Sequence, residues 1–315
     1  MGCTVARALV TGAAGQDGSY LCELLLGKGY EVTALVRPST TNTLRNIYHI
    51  LDKLRVVRGD VRDINVIHGL AQQGYEEVYH LAALSHVGES FTNPHEVIEV
   101  NLGGTINLLE QLRRYSASTK LYWAGTSEML PNGDKPDFDT ARLGARSPYA
   151  ASKIAAYHMC DVYRQAYDMF ITCGVAYNHE SPRRGLNFVT QRLVQGVREF
   201  LRSGKPIKMG NPHARRDWHH AKDTVQGMYL AMHYDNVPYD FTFASGEERS
   251  VEEFAVAVCK YYGVSVGDAV KWGEVEQRPL DVAALRGNPR KAEVWLGWHR
   301  EYDFHRLVES MCEEV

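Results

Sequence analysis

No stretch of this chain approaches the roughly 20 consecutive apolar residues that a membrane-crossing helix needs. Its N-terminus lacks a signal-peptide core, because the apolar run "ALVTGAAG" is short and soon broken by glycine. "MGC" resembles the start of a myristoylation signal, but Ala6 stands where that signal needs Ser or Thr. The six cysteines (Cys3, Cys22, Cys160, Cys173, Cys259, Cys312) are scattered, with no C-x-x-C pair. That excludes a zinc knuckle and a disulfide framework, so no metal site is expected and a reduced, cytoplasmic setting is. Charge of one sign is also missing. The formal net charge is −3 and the pI about 6.5, which gives no basic field for nucleic acid or an acidic membrane. Internal repeats, low-complexity tracts and flexible linkers are absent. What remains is 315 residues, 44% hydrophobic and 23% charged, enough for one large globular domain or two smaller ones.

Strand-like and helix-like segments alternate from the start. "RALVTG", "EVTALVR", "LRVVRGD", "EEVYHLAA", "KLYWAGT" and "MFITCGVAY" are short apolar runs. Between them "GSYLCELLLGKGY", "NLGGTINLLEQLRRY" and "PYAASKIAAYHMCDVYRQAY" carry apolar residues at helical spacing. The alternation predicts an α/β fold, a Rossmann-type doubly wound parallel sheet with helices on both faces. After residue 185 the rhythm loosens into helices such as "NFVTQRLVQGVREFLRSG" and "SVEEFAVAVCKYYG". These predict a smaller, mainly helical C-terminal substrate lobe, while "DFTFASGE" reads as a strand returning to the first domain. The expected division is 1–177 plus about 216–246 for the cofactor domain, and 178–215 with 247–315 for the lobe.

Ligands of such sheets bind at the carboxyl ends of the strands, and the motifs fall there. "ALVTGAAGQDGSYL" sets Gly12, Gly15 and Gly18 between the first strand and first helix. The glycines allow a tight turn, close approach to a pyrophosphate and close helix–sheet packing. The helix N-terminus supplies free N–H groups for that anion. At the end of the second strand NAD enzymes usually place an acid on the ribose 2′-hydroxyl. Here Arg37, Ser39 and Thr40 follow Val36, a set suited to a 2′-phosphate and hence to NADP, the alternative being a solvated surface Arg. Asp60 and Val61 are placed to touch the adenine.

Tyr149 and Lys153 form Y-x-x-x-K at the start of a helix and share one face. An ammonium beside the phenol is expected to lower its pKa and make it a base. Upstream, "LYWAGTSE" ends a strand with Thr126 in reach of a substrate oxygen. The combination fits hydride transfer from a carbinol carbon at a short-chain dehydrogenase-type site. Glu128 exceeds what that chemistry needs. It implies a further proton transfer, such as removal of an acidic proton beside a new ketone followed by elimination, unless it is a surface Glu at a strand end.

"TGAAGQDGSYL", "TSE", "SPYAASK", "NHESPRRGLNFVT" and "RRDWHHAKD" together resemble the GDP-mannose 4,6-dehydratase family, extended short-chain dehydrogenases/reductases. The likeness runs from about residue 7 to "RPLDV" and "LGW". "NHESPRRG" with "NFVT" is its most specific part. The resemblance implies that Tyr149 takes the C4 hydroxyl proton, assisted by Thr126 and Lys153, and that Glu128 removes the C5 proton and helps expel the C6 hydroxyl as water. It implies cofactor contacts from Gly12, Gly15, Gln16, Asp17, Gly18, Arg37, Ser39, Thr40, Asp60, Val61, Leu81, Ala82, Ala83, Ser85, Lys153, His179 and Arg184. Nucleotide-sugar contacts are implied for Ser85, Asn178, Asn187, Val189, Arg192, Arg216, Arg278 and Asp281. A homo-oligomer, dimer or tetramer, is implied as well. Glu180 and Arg183 are left without a ligand, as candidates for an internal ion pair or a subunit contact.

The chain also departs from the family. Pro38 stands where a second Arg is usual, "MLPNG" follows the Glu, and the segment before "RPLDV" is short. Other functions weighed are a dehydratase of another GDP-sugar such as a heptose, and a 4-keto-sugar reductase or epimerase, which has no need of Glu128. A non-catalytic NADP sensor has no use for Thr126, Glu128, Tyr149 and Lys153 together.

Overall fold

The computed structural model describes residues 5–38, 44–131, 133–134, 136, 138–235, 237–273 and 284–313. Its central sheet is built from the apolar runs picked out above. The strands are β1 (Arg7–Thr11), β2 (Glu31–Val36), β3 (Leu54–Arg58), β4 (Glu77–His80), β5 (Lys120–Thr126) and β6 (Ile171–Ala176). A short β7 (Asn178–Glu180) and β8 (Trp218–His220) pair with each other, and β9 (Phe241–Phe243) returns to the sheet. The order across the seven strands is β9-β6-β5-β4-β1-β2-β3, and every pairing is parallel. The direction of winding reverses between β1 and β4, which opens the crevice where ligands of doubly wound sheets lie.

Both faces are covered, so the inner strands are buried along almost their whole length rather than alternating, while the edge strand β3 exposes Arg55 and Arg58. Successive residues of a strand serve opposite layers. Leu9, Leu121 and Trp123 pack with α2 (Gly104–Tyr115) and α3 (Pro148–Tyr167). Ala8, Val10 and Tyr122 pack with α1 (Gln16–Gly27) and α5 (Ala221–His233) on the other side. A third core joins Leu193, Val194 and Val197 of α4 (Val189–Ser203) to Phe254 and Val258 of α6 (Val251–Tyr261).

The part after residue 185 also holds strands of two or three residues that its helical rhythm does not announce. Arg215–Arg216 pairs with Arg249–Ser250 and Ala284–Arg286, and Ile207–Met209 with Val270–Trp272. Fully buried Asp217 fastens these loops. Its carboxylate accepts the backbone N–H groups of Ser245 (2.6 Å), Gly246 (2.9 Å) and Gly287 (3.0 Å). Among the described residues no helix is long and apolar enough to cross a membrane.

Candidate active site

The carboxyl ends of the strands open into one cavity of about 680 Å³. Its floor is the turn between β1 and α1. Gly12 has φ +70, and a Cβ there would sit 2.9 Å from the Ala82 nitrogen. At Gly18 a Cβ would lie 2.3 Å from the Gly12 carbonyl oxygen, so any side chain would push the helix off the turn. Gly15 caps α1 with no side-chain hydrogen bond. The first N–H groups of the helix therefore face the cavity without a competing side chain, as a diphosphate site requires.

The loop after β4 is fixed from below by a buried chain of hydrogen bonds. Thr11 Oγ1 accepts the N–H groups of Leu81 and Ala82, each at 3.1 Å. It bonds His80 Nδ1 at 2.9 Å, and His80 Nε2 bonds Thr105 Oγ1 at 3.2 Å. The Thr105 hydroxyl donates to the Asn101 carbonyl at 2.7 Å, so it is an acceptor toward His80 and fixes the Nε2–H tautomer. Burial pushes His80 down to about 3, with Lys153 adding to the effect, which keeps the ring neutral. Asn101 then ties this loop to α3. Its amide brackets Leu84 (2.9 and 3.2 Å) and donates to Ser152 Oγ at 3.0 Å.

Tyr149 and Lys153 lie on the first turns of α3. Ser147 caps that helix by accepting the Ala150 N–H at 3.0 Å, and Pro148 occupies its first position. The helix thus begins one residue before Tyr149, and both side chains are buried at the cavity wall. Thr126 ends β5 and accepts the Glu128 N–H at 3.3 Å. Thr126 also acts on the Tyr149 phenol.

The pKa pattern departs from the expectation that Lys153 lowers Tyr149. Burial pushes Tyr149 up to about 12 and the Glu128 charge adds to this, while the Thr126 hydrogen bond and the Arg184 cation pull it down. Lys153 is itself pushed down to about 8 by burial, and its Nζ rests 4.2 Å from the centre of the Trp123 ring. Its ammonium is weakened by the same dry surroundings that raise the phenol, and the cation that acts on Tyr149 is Arg184.

The octapeptide "NHESPRRG" crosses the cavity mouth. His179 Nε2 meets Asp17 at 2.8 Å and His179 Nδ1 meets the Tyr177 carbonyl at 2.6 Å. Two acceptors around one imidazole favour the doubly protonated ring. Burial opposes that charge, but Asp17 outweighs it and His179 is held above its ordinary value. Asp17 moves the other way, since His179 and Arg184 overcome the cost of its burial. Glu180 is buried, accepts the Thr190 hydroxyl at 2.6 Å and pairs with Arg184 at 3.1 Å. The Arg184 guanidinium lies 3.5 Å over the Phe188 ring.

Most of the residues singled out from the sequence meet in this cavity. Gly12, Gly15, Gln16, Asp17, Gly18, Arg37, Asp60, Val61, Leu81 to Ser85, Thr126, Glu128, Tyr149, Lys153, Asn178, His179, Arg184, Val189, Arg192 and Arg216 all line it. Asn187 does not. It is exposed and donates to Glu89 at 3.1 Å on the rim. Ser39, Thr40, Arg278 and Asp281 lie outside the described residues. Asp60 is held below the usual carboxylate range, chiefly by hydrogen bonds from Arg62 at 3.0 and 2.8 Å. Sequence reasoning missed Asn101, His80 and the far wall of Phe188, Met209, Gly210, Asn211 and Ala214. A polar Asn in the middle of an apolar helical run was the one signal available for Asn101.

This arrangement has solved counterparts. The chain superposes on the NAD complex of a Thermus thermophilus UDP-glucose 4-epimerase with a TM-score of 0.86, at 27% identity over 97% of each chain. A dTDP-glucose 4,6-dehydratase from Streptomyces venezuelae shares the fold at a TM-score of 0.84. The molecule is therefore a Rossmann-fold protein of the short-chain dehydrogenase/reductase class. Within that class the family model for GDP-mannose 4,6 dehydratase matches residues 9–311. GDP-mannose 4,6 dehydratase 2 of Arabidopsis thaliana is 39% identical over 98% of this chain and 86% of its own length. The Vibrio cholerae GDP-mannose 4,6-dehydratase is 36% identical over 98% and 92%. The chain belongs to the GDP-mannose 4,6-dehydratase family.

Proposed function

We propose that this protein is an NADP-dependent hydro-lyase that converts GDP-mannose to GDP-4-keto-6-deoxymannose. The observation that carries this function is the convergence of Thr126, Glu128 and Tyr149 in one cavity, with the Glu128 charge acting on the Tyr149 phenol. A simple dehydrogenase needs the phenol alone; a carboxylate beside it supplies the second proton transfer that elimination demands.

The residues present fit a nicotinamide dinucleotide: a glycine turn without room for side chains, a helix N-terminus with no side-chain cap, and Lys153 on the inner wall. When bound, that cofactor supplies a hydride acceptor and donor at the sugar. Gly12, Gly15, Gln16, Asp17, Gly18, Leu81 to Ser85, His179 and Arg184 are assigned to holding it, with Asp60 and Val61 at the adenine. Arg37 supports NADP, because among the described residues the end of β2 offers this cation and no acid.

Tyr149 is assigned to accept the C4 hydroxyl proton, with Thr126 orienting the oxygen. A phenol near 12 is a weak acid that stays protonated at neutral pH, so Thr126 and Arg184 are needed to stabilise the anion that acts as base, and Lys153 is assigned to the cofactor. Glu128 is assigned to take the C5 proton and return a proton to the departing C6 hydroxyl. Asn178, Val189, Arg192 and Arg216, with Ser85, are assigned to the nucleotide-sugar, whose two phosphates call for Arg side chains. From the rhythm of strands and helices along the sequence we assign the cofactor domain to 1–177 with about 216–246 and the substrate lobe to 178–215 and 247–315. We also assign a homo-oligomeric state and a cytoplasmic location.

The test is to incubate purified protein with GDP-mannose and catalytic NADP and to follow the sugar nucleotide by mass. Loss of one water without net NADPH is expected. Unchanged GDP-mannose would sink the substrate assignment, and a clear preference for NAD would overturn the role of Arg37.

A further inference from the structure

Arg183 touches neither wall nor floor of the cavity, yet it is tightly engaged. Its Nη2 meets Glu23 Oε1 at 2.5 Å, its Nη1 donates to Ser19 Oγ at 2.9 Å, and its guanidinium lies 3.9 Å over the Tyr20 ring. Two residues earlier, Ser181 Oγ donates to Gln16 Oε1 at 2.8 Å and accepts the Arg183 N–H at 3.1 Å. Gln16 also donates to the His179 carbonyl at 3.0 Å. Gln16, Ser19, Tyr20 and Glu23 recur at the spacing of one helical face. That face of α1 is therefore docked along its first two turns onto residues 179–183. The N-terminus of the same helix is the anion site for the cofactor.

We propose that Arg183 is a positioning residue that straps α1 to the octapeptide, so that the nicotinamide cofactor stays bound through a complete turnover. The proposal rests on the dehydratase function above, in which the cofactor ends each cycle unchanged and has no reason to depart between steps. A diphosphate seated at the end of α1 and covered by β7 escapes when helix and strand part. Arg183 resists that parting from outside the cavity with two hydrogen bonds and a cation–π contact. Glu23 is its anchor, and His49 shares that carboxylate at 2.6 Å.

The experiment compares release of bound NADPH by fluorescence in a stopped-flow displacement assay for wild type, Arg183→Ala, Arg183→Lys, Glu23→Gln and the Arg183→Ala/Glu23→Gln pair. Arg183→Ala and Glu23→Gln are expected to speed release roughly tenfold, the scale of one charge-assisted hydrogen bond. Arg183→Lys should recover part of the loss, and the pair should be no faster than Arg183→Ala. During turnover the two single variants should leak free NADPH and oxidised, still hydrated sugar nucleotide, which a role in stability alone would not produce. Release within about twofold of wild type in both variants would overturn the strap. Glu23→Gln keeps the test decisive if Arg183→Ala does not fold. If wild type leaves GDP-mannose untouched while Arg183→Ala still speeds release, the substrate assignment fails and the strap stands.

Discussion

At the scale of single residues, the site is a set of opposed environments. Dryness lifts the Tyr149 phenol to about 12 and lowers the Lys153 ammonium to about 8, so the surrounding charges decide when a proton moves. Glu128→Gln keeps the shape of the site and removes the carboxylate assigned as its base. It is expected to lower the rate of water loss by roughly 10²–10⁴-fold, the usual contribution of a positioned acid–base group, while slow oxidation at C4 persists. Product mass with a parallel reading of NADPH absorbance checks this, and full turnover in the variant would refute the assignment. That Thr126, Glu128, Tyr149 and Lys153 share one cavity was legible from residue type and spacing. Asn101 and His80 were not, since their work lies in partners 17 to 69 positions away along the chain. Glu180 and Arg183 stand three apart and hold different partners, Arg184 and Glu23, which the sequence placed on neither side.

At the scale of elements, each chemical group is delivered by an end of a strand or helix. The seven strands were visible as short apolar runs because a sheet covered on both faces has no polar alternation to confuse them. Strands of two or three residues, such as Arg215–Arg216 and Arg249–Ser250, carry too few side chains to leave a period and were missed. The start of α3 shows how local chemistry aims a side chain into the cavity. Ser147→Ala removes the cap and frees the first turn under Tyr149. It is expected to cost ~1 kcal/mol of stability, read as a lower denaturant midpoint. A loss of turnover beyond that of a distant cap variant would mark the turn as part of the site's geometry, while an unchanged midpoint would refute the cap.

At the scale of the whole molecule, the opposite end of the sheet carries a second charged cluster. Glu77 accepts the hydroxyls of Tyr30 (3.0 Å) and Tyr79 (2.8 Å) and pairs with His233 of α5 at 3.0 Å. Burial raises Glu77, but His233 outweighs it and the carboxyl ends below its ordinary 4.5. Burial lowers His233, and Glu77 outweighs that, so it ends above 6.5. A raised His contributes stability that is fully present below 6.5 and is lost as pH rises through its folded value; a depressed Glu contributes stability present above 4.5 and lost on acidification. Stability should therefore decline as pH climbs above 6.5, and His233→Asn should flatten that decline. Denaturant melts at several pH values would show it, and an identical slope in the variant would dismiss the pair as a contributor.

The closing strand of the sheet has a consequence for synthesis. β9 (Phe241–Phe243) covers the edge of β6, whose six residues are all buried in the finished molecule. A ribosome delivers β6 first and must still make residues 177–240 before its neighbour exists. At about 5–20 residues per second that leaves an apolar edge without a partner for roughly 3–13 s. Nascent chains are thus most exposed to mispairing and to chaperone capture in that interval, and β9, the shortest of the seven strands, is what ends it.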